Sequence, residues 1–560
     1  MINLIKKWLN RKSHNEELIY TESIESTPSI DPIEIEDELP VVIEDEIEVE
    51  EVSESEEKFL SLSKEMTMNR NSIYSEIIEF IPTGIRTSVM NLNIIQRNQM
   101  FLRYLGCSNR TLHENDKIWS SLKNIDILKM TLPEIEKSIK SLWDYLNPSE
   151  NDKKKYGEVF TPFDLVNEML DKLPTYVWSK PNLKWLEPAN GVGNFAIVII
   201  KRLMIGLEGW EPDEEKRYKH IIENMIYVCE LQAKNMFIWL FTIDRENKYD
   251  VKFYRESFLG DGFSDKMKEW GVEKFDVVVG NPPYQEISTQ GRSKGGGTGG
   301  DNNLWSKFSS KSMDVTDYLL FIHPPSFLSP SHNLLEKFKL MGGFMYFKIY
   351  NESPFENVST NACFYLFKKS YKGDTLIGDS YIKFDMEFFP NSTKIIDFII
   401  FNKFFKSHKI MEFKRTCSLH TVNKKRFINK ERNNDFIYPL FYGSKILYSS
   451  IKSEFHDLKK VVVSRSGYLN PTYDDGISSL SETNYFVEVK SENHGKNLIN
   501  ILNSKLYDYV LKKSKFSGFF HGEVLKNIPM IPTDKEWTDD EIFEYFGISA
   551  EEKIIVLNKK

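Results

Sequence analysis

Asn281, Pro282, Pro283 and Tyr284 follow directly on the apolar run Phe275-Asp-Val-Val-Val-Gly280. Each proline fixes φ and removes a backbone donor, while its carbonyl stays free to accept. Asn281 adds a side-chain amide oxygen. An Asn oxygen and a Pro carbonyl can together accept both hydrogens of one planar amino group. Tyr284 supplies a ring on which the heterocycle carrying that amine can stack. The amine of such a heterocycle is a poor nucleophile, because its lone pair is delocalised. Holding both N–H bonds draws the nitrogen toward tetrahedral geometry, frees the lone pair and stabilises the developing positive charge. A sulfonium methyl group placed in line would then complete direct transfer, with no covalent enzyme intermediate.

Two further stretches carry chemistry. In Leu186-Glu-Pro-Ala-Asn-Gly-Val-Gly-Asn-Phe195, Gly191 and Gly193 stand between an apolar run and a helical pattern. Glycines there let the backbone approach a ligand. Glu187, just before the turn, suits a cationic group such as the amino end of a methionine moiety. The spacing is not GxGxxG and no Lys-Ser/Thr follows, so a phosphate-binding loop is disfavoured. Taken alone, the stretch is equally an ordinary strand–helix turn. Glu230 ends the short run Met225-Ile-Tyr-Val-Cys-Glu230. A carboxylate at that place can accept both hydroxyls of a ribose, though taken alone it is more often a solvated strand end.

The elements that must position these residues alternate between strand and helix patterns from Tyr156 to about residue 370. Phe160-Thr-Pro-Phe163 opens a helix, with Thr161-Pro162 at its start. LKWLE, MIYVCE, VKFYR, FDVVVG, DYLLFIHP and NACFYLFKK read as strands. This alternation predicts an α/β fold with a doubly wound, mainly parallel sheet over residues 151–370. Residues 58–150 show apolar spacing of three and four and predict a helical module. Residues 371–560 mix basic clusters, short strands and aromatic turns, and predict a separate α+β domain closed by a helical hairpin.

Residues 14–57 hold 18 acidic residues and neither Lys nor Arg, so residues 1–57 are expected to be a solvated acidic tail. Without those charges the net −9 of the 560-residue chain becomes +9, which permits a polyanionic partner. The four cysteines lie far apart, which argues against a disulfide framework or zinc site, and no metal is expected. No apolar run reaches membrane-spanning length and no cleavable leader pattern is present, so a cytoplasmic protein is expected.

Together these motifs resemble the gamma-class DNA adenine-N6 methyltransferases of restriction–modification systems and phages. The residues that carry the resemblance are GEVFTP (157–162), LEPANGVGNF (186–195), Glu230, GNPPY (280–284), LLFIHPPSFL (319–328) and NESPFENVSTNACFYLFKK (351–369). It covers residues 156–370. It implies S-adenosylmethionine as cofactor and an adenine flipped out of double-stranded DNA as substrate. Thr161, Pro162, Glu187, Pro188, Gly191 and Gly193 would line the methionine end of the cofactor pocket, and Glu230 would hold the ribose. Glu256 stands where the family usually has an Asp against the cofactor adenine, and Asp261 rivals it for that role. Asn281, Pro282, Pro283 and Tyr284 would form the catalytic loop, and Phe355 would pack the second face of the flipped base. Residues 371–560 would be the target-recognition domain. Its basic residues Lys424, Lys425 and Arg426 would meet phosphates, and Arg465 a base edge. The resemblance is shared by methylases with a separate restriction endonuclease as partner and by solitary phage-borne methylases, and the sequence leaves both open.

Other readings compete. Protein-glutamine and RNA amino-methyltransferases pose the same lone-pair problem. A cytosine-N4 target more often goes with Ser in place of Asn281. Asp475 with Glu488-Val-Lys490 echoes a metal-dependent nuclease, which would make the chain a fused restriction enzyme. The glycine-rich stretch 293–308 is expected to be a mobile loop that orders over the substrate strand.

Overall fold

The structure is a computed structural model. It describes residues 70–105, 125–146, 160–284, 303–330, 332–350, 352–355, 361–383, 387–392, 394–406, 409–415, 425–465, 469–516 and 522–558. The acidic segment, residues 157–159 of GEVFTP, residues 293–302 of the glycine-rich stretch and Lys424 lie outside the described residues. The chain divides into two compact units, residues 1–126 with 237–250 and residues 127–236 with 251–560.

In the smaller unit the three- and four-residue apolar spacing produces the helices Asn71–Ile77 and Ile94–Leu105. The spacing turns Ile73, Ile77, Phe101 and Leu105 inward. Tyr74 stacks on Phe101 at 5.3 Å. Arg70 is buried, and its guanidinium donates to the Asp244 carboxylate and the Asn247 amide oxygen. A buried cation needs such partners, since its desolvation costs several kcal/mol.

The larger unit is built on one sheet. Its strands are β1 (Trp185–Glu187), β2 (Ile226–Cys229), β3 (Lys252–Tyr254), β4 (Phe275–Gly280), β5 (Thr316–His323), β6 (Gly342–Ile349), β7 (Cys363–Lys369), β8 (Thr375–Ile377) and β9 (Ser380–Ile382). Their order is β3-β2-β1-β4-β5-β7-β6-β8-β9. The first five are mutually parallel. Strand β7 runs antiparallel between β5 and β6. This is the mainly parallel α/β sheet expected from the alternation. Strand β6 escaped the sequence reading because it opens with Gly342-Gly343, which looks like a turn. Its first glycine answers a packing demand instead, since a Cβ on Gly342 would meet the Lys368 carbonyl at 2.2 Å. At the end of β5 the fully buried Ser309, His323 and Tyr365 share hydrogen bonds. Burial keeps His323 neutral, with its pKa lowered to about 3.

Beyond residue 382 come β10 (Ile428–Asn429), β11 (Tyr438–Tyr442), β12 (Lys445–Ser449), β13 (Lys459–Ser464), β14 (Thr472–Asp475), β15 (Ser479–Leu480) and β16 (Asn484–Glu488). They form a four-stranded sheet, β10-β12-β11-β15, and a three-stranded one, β14-β13-β16. Lys460 of β13 is fully buried, and its three ammonium donors serve Asp474 and the carbonyls of His456 and Leu458. The closing helices Asp539–Tyr545 and Ala550–Leu557 each begin with a reciprocal capping box, Thr538 with Glu541 and Ser549 with Glu552. Gly547, at φ 63°, allows the turn between them. Among the described residues, no helix is long and apolar enough to cross a membrane.

Candidate active site

The strand order reverses between β1 and β4: β2 and β3 continue on one side, β5 on the other. At such a switch point the loops leaving two adjacent strands diverge and open a crevice. Strand β1 ends in Glu187 and β4 ends in Gly280, immediately before Asn281. Leu186 pairs with Val278, so both turns leave the sheet side by side. The approach at Gly280 is close, for a Cβ there would lie 3.8 Å from both Glu187 Cγ and Pro188 Cδ. Its φ of 151° also favours glycine.

The Asn281 carboxamide has a defined orientation. Its Nδ2 donates to Thr161 Oγ1 at 3.2 Å. Its Oδ1 is buried and has no hydrogen-bond partner. Such an orphaned acceptor costs about 1–3 kcal/mol until a donor reaches it. Thr161 is itself buried, and its carbonyl accepts from Asn194 Nδ2 at 2.8 Å. Two residues later, Phe163 N donates to Glu136 Oε1 at 2.7 Å at the start of the helix Phe163–Leu170. Pro162 caps that helix from outside its first turn. The partly buried Tyr284 ring packs against the apolar core that includes Phe321, Cys363 and Tyr365, and its hydroxyl is buried without a partner. Burial, followed by the neighbouring Cys363 thiol, pushes the Tyr284 hydroxyl well above the ordinary phenol range.

Gly191 and Gly193 both adopt left-handed backbone, at φ 55° and 94°, and Gly193 caps the helix Asn194–Gly206. Glu187 Oε2 accepts from Ala196 N at 3.0 Å, satisfying one of the helix's first N–H groups. Only 4% of Glu187 is exposed. Burial raises its pKa well above the carboxylate norm, the Ala196 bond opposes this, and the Glu230 charge adds to it. Glu230 is buried too, and it accepts from Gly191 N and Gln232 N, both at 2.8 Å. These bonds fix the Glu230 carboxylate beside the glycine turn. The amide oxygens of Asn190 and Asn194 are buried without partners. The site therefore presents two oriented, buried carboxyl groups, Glu187 and Glu230, and the unmatched amide oxygens of Asn190 and Asn194, an acceptor set that fits a cationic, hydroxyl-bearing ligand.

Glu256 is exposed, and its carboxylate accepts from Tyr254 OH at 2.9 Å. Burial, then this bond, pushes Tyr254 up to about 12. Asp261 is exposed on the same loop. Lys311 Nζ holds that loop through the Gly260 carbonyl at 2.9 Å. Phe355 is buried, beside Ser353. Lys425 stands in the short turn Lys425–Phe427, where the Arg426 guanidinium lies 4.7 Å from the centre of the Phe427 ring. Arg465 follows β13 and donates its backbone N–H to Thr483 O.

The nuclease reading fails on geometry. Asp475 lies opposite Lys459, while Glu488 lies opposite Lys460. Directly opposed residues share a face and consecutive residues alternate, so the two acids project from opposite faces of the sheet. Asp475 pairs with Lys459, and Glu488 with Lys414. Among the described residues, no three His, Cys, Asp or Glu side chains cluster as metal ligands.

Sequence reasoning missed Asn194, which bonds the Thr161 carbonyl, and Glu136, which bonds Phe163 N two residues further on. It also missed Leu231, an apolar side chain 55% exposed beside Glu230. An apolar residue directly after a strand-ending acid was the available signal for Leu231. No local signal marks the other two.

Residues 192–352 match the family model of the Eco57I restriction-modification methylases. A protein of Mycoplasma pneumoniae described as an uncharacterized adenine-specific methylase is 26% identical over 301 residues, 40% of this chain and 70% of that protein. The modification methylase CviBIII of Paramecium bursaria Chlorella virus NC1A is 25% identical over 230 residues, 39% of this chain and 51% of that protein. In structure, the DNA-bound type ISP restriction-modification enzyme LlaBIII is a distant likeness. It is 12% identical with a TM-score of 0.47, covering 88% of this chain and 45% of that one. The similarity to the Eco57I restriction-modification methylases is thus carried by residues 192–352, which include Gly193 of the glycine turn, Glu230 and the Asn281–Tyr284 loop.

Proposed function

We propose that the chain methylates the N6 amino group of adenine in double-stranded DNA, using S-adenosylmethionine, as the modification activity of a restriction–modification system. The observation that carries this reading is the Asn281 carboxamide, anchored through its nitrogen and presenting a buried, unmatched oxygen. That oxygen and the Pro282 carbonyl accept the two hydrogens of the target amine, and the Tyr284 ring supports the base. Phe355 covers the second face of the base. An amine held this way is in the geometry of the charged transition state before reaction begins.

When bound, the cofactor supplies an electrophilic methyl group on a sulfonium. Glu187 receives its ammonium group, with the Asn190 and Asn194 oxygens as further acceptors, and Glu230 receives its ribose hydroxyls. Gly191 and Gly193 admit the backbone closely, with Pro188 completing the turn. Thr161 and Pro162 complete the wall at the methionine end. Leu231 offers an apolar surface for the adenine ring, and Glu256 or Asp261 meets the adenine amine.

We further assign target recognition to residues 371–560. Lys424, Lys425 and Arg426 contact phosphates, and Arg465 a base edge, in a cytoplasmic enzyme whose companion endonuclease is a separate chain. The test is transfer of tritiated methyl from S-adenosylmethionine to unmethylated genomic DNA, RNA and total protein. Label is expected in DNA alone, as N6-methyladenine in one sequence context when the modified DNA is sequenced. Label in RNA or protein instead would refute the substrate assignment.

A further inference from the structure

We propose that Thr161 is the positioning residue that sets which way the Asn281 carboxamide faces. The inference rests on the amino-methyltransferase reading above and deepens it. A carboxamide presents an acceptor on one side and a two-hydrogen donor on the other, and half a turn about its terminal bond exchanges them at little steric cost. Only one orientation can accept from a substrate amine. The other sets donor against donor. Here Asn281 Nδ2 is engaged by Thr161 Oγ1 at 3.2 Å, and Oδ1 is the side left without a partner.

Thr161 can impose that choice because it is held independently of Asn281, from which it is separated by 120 positions. Its carbonyl is held by Asn194 of the glycine turn. The chain just beyond it is held by Glu136. The side chain is buried, so water does not compete for the hydroxyl. One residue thus serves two loops through two different atoms: its backbone oxygen receives the turn beside Glu187, and its hydroxyl receives the catalytic loop. Substituting the side chain removes only the second bond.

Thr161→Val keeps the shape and deletes the hydroxyl, and Thr161→Ser keeps the hydroxyl. In Thr161→Val, the single-turnover rate of tritiated methyl transfer to unmethylated genomic DNA is expected to fall about 10- to 100-fold, the scale of one misplaced hydrogen bond at a reacting centre. Cofactor affinity by calorimetry is expected to stay within about twofold, because Val keeps the shape that Thr161 gives the pocket wall and the Asn194 bond goes to the backbone. Thr161→Ser is expected to recover most of the rate. A wild-type rate in Thr161→Val, equal losses in both variants, or a loss confined to cofactor affinity would each overturn the assignment. If the wild type labels RNA or protein rather than DNA, the substrate reading falls, and the Val–Ser comparison on that acceptor still decides the role of Thr161. A wild type that labels nothing overturns both.

Discussion

Asn281→Ala is expected to lose methyl transfer almost completely while binding cofactor as the wild type does. In the proposed mechanism the side chain contributes an acceptor whose value is greatest when charge develops on the target nitrogen. Deleting one such preorganised partner costs about 10²–10³ in turnover. The substitution leaves the Pro282 and Pro283 carbonyls and the Tyr284 ring in place, because the prolines fix the loop's φ angles without help from Asn281. It removes no ligand proposed for the cofactor, so stabilisation of the folded chain by S-adenosylmethionine should be unchanged. Single-turnover kinetics paired with thermal melts in the presence of cofactor would check both halves. A variant that keeps more than about a tenth of the wild-type rate would remove Asn281 from the centre of the mechanism.

Glu187→Gln is expected to act on the other half of the site, abolishing the thermal stabilisation by cofactor while leaving the fold intact. Gln retains a carbonyl oxygen for Ala196 N, the bond that Glu187 makes at the helix start, and it loses the charge that a ligand ammonium requires. The same residue makes a pH prediction. Burial raises the Glu187 pKa well above the carboxylate norm. The folded chain therefore binds more protons at this group than the unfolded chain does. Stability without cofactor should fall as pH rises from the ordinary carboxylate range through the raised value, and Gln should flatten that slope. A bound cation favours the carboxylate, so cofactor binding should release up to one proton and strengthen as pH rises. Calorimetry in two buffers of different ionisation enthalpy counts that proton. Equal heats in both buffers would show that Glu187 is already ionised or does not meet the cation.

The sheet was legible wherever one feature dominated. FDVVVG and LLFIH are continuous apolar runs because both faces of β4 and β5 are covered, and buried parallel strands have that signature. Strands β8 and β9 were not legible, since each has three residues and carries polar side chains. The loop proposed as catalytic, Asn281 to Tyr284, could be read because the residues that would do its chemistry are consecutive. Its support could not, because Thr161, Asn194 and Glu136 come from three separate elements whose meeting is decided by folding. The nuclease reading failed for a related reason. The residue types at Asp475 and Glu488 suit a metal site, but the register against β13 decides which face each occupies, and neither segment encodes that register alone.

The sheet's continuation past residue 370 bears on where such an enzyme can be cut and rejoined. A boundary drawn at the end of the recognisable motifs would fall between β7 and β8. Strand β8 pairs with β6 through Tyr346 and Phe347, and Thr375 Oγ1 donates to the Phe344 carbonyl at 2.9 Å. Phe389 and Phe398 belong to the same apolar core as Phe344 and Phe347. A chimera that exchanged everything after 370 would bare the β6 edge, an invitation to strand-to-strand association, and would take two aromatic rings from the core. A graft that keeps this core must carry Phe389 and Phe398 with the sheet, and because Phe398 lies inside the helix Ile395–Phe405, that whole helix goes with them.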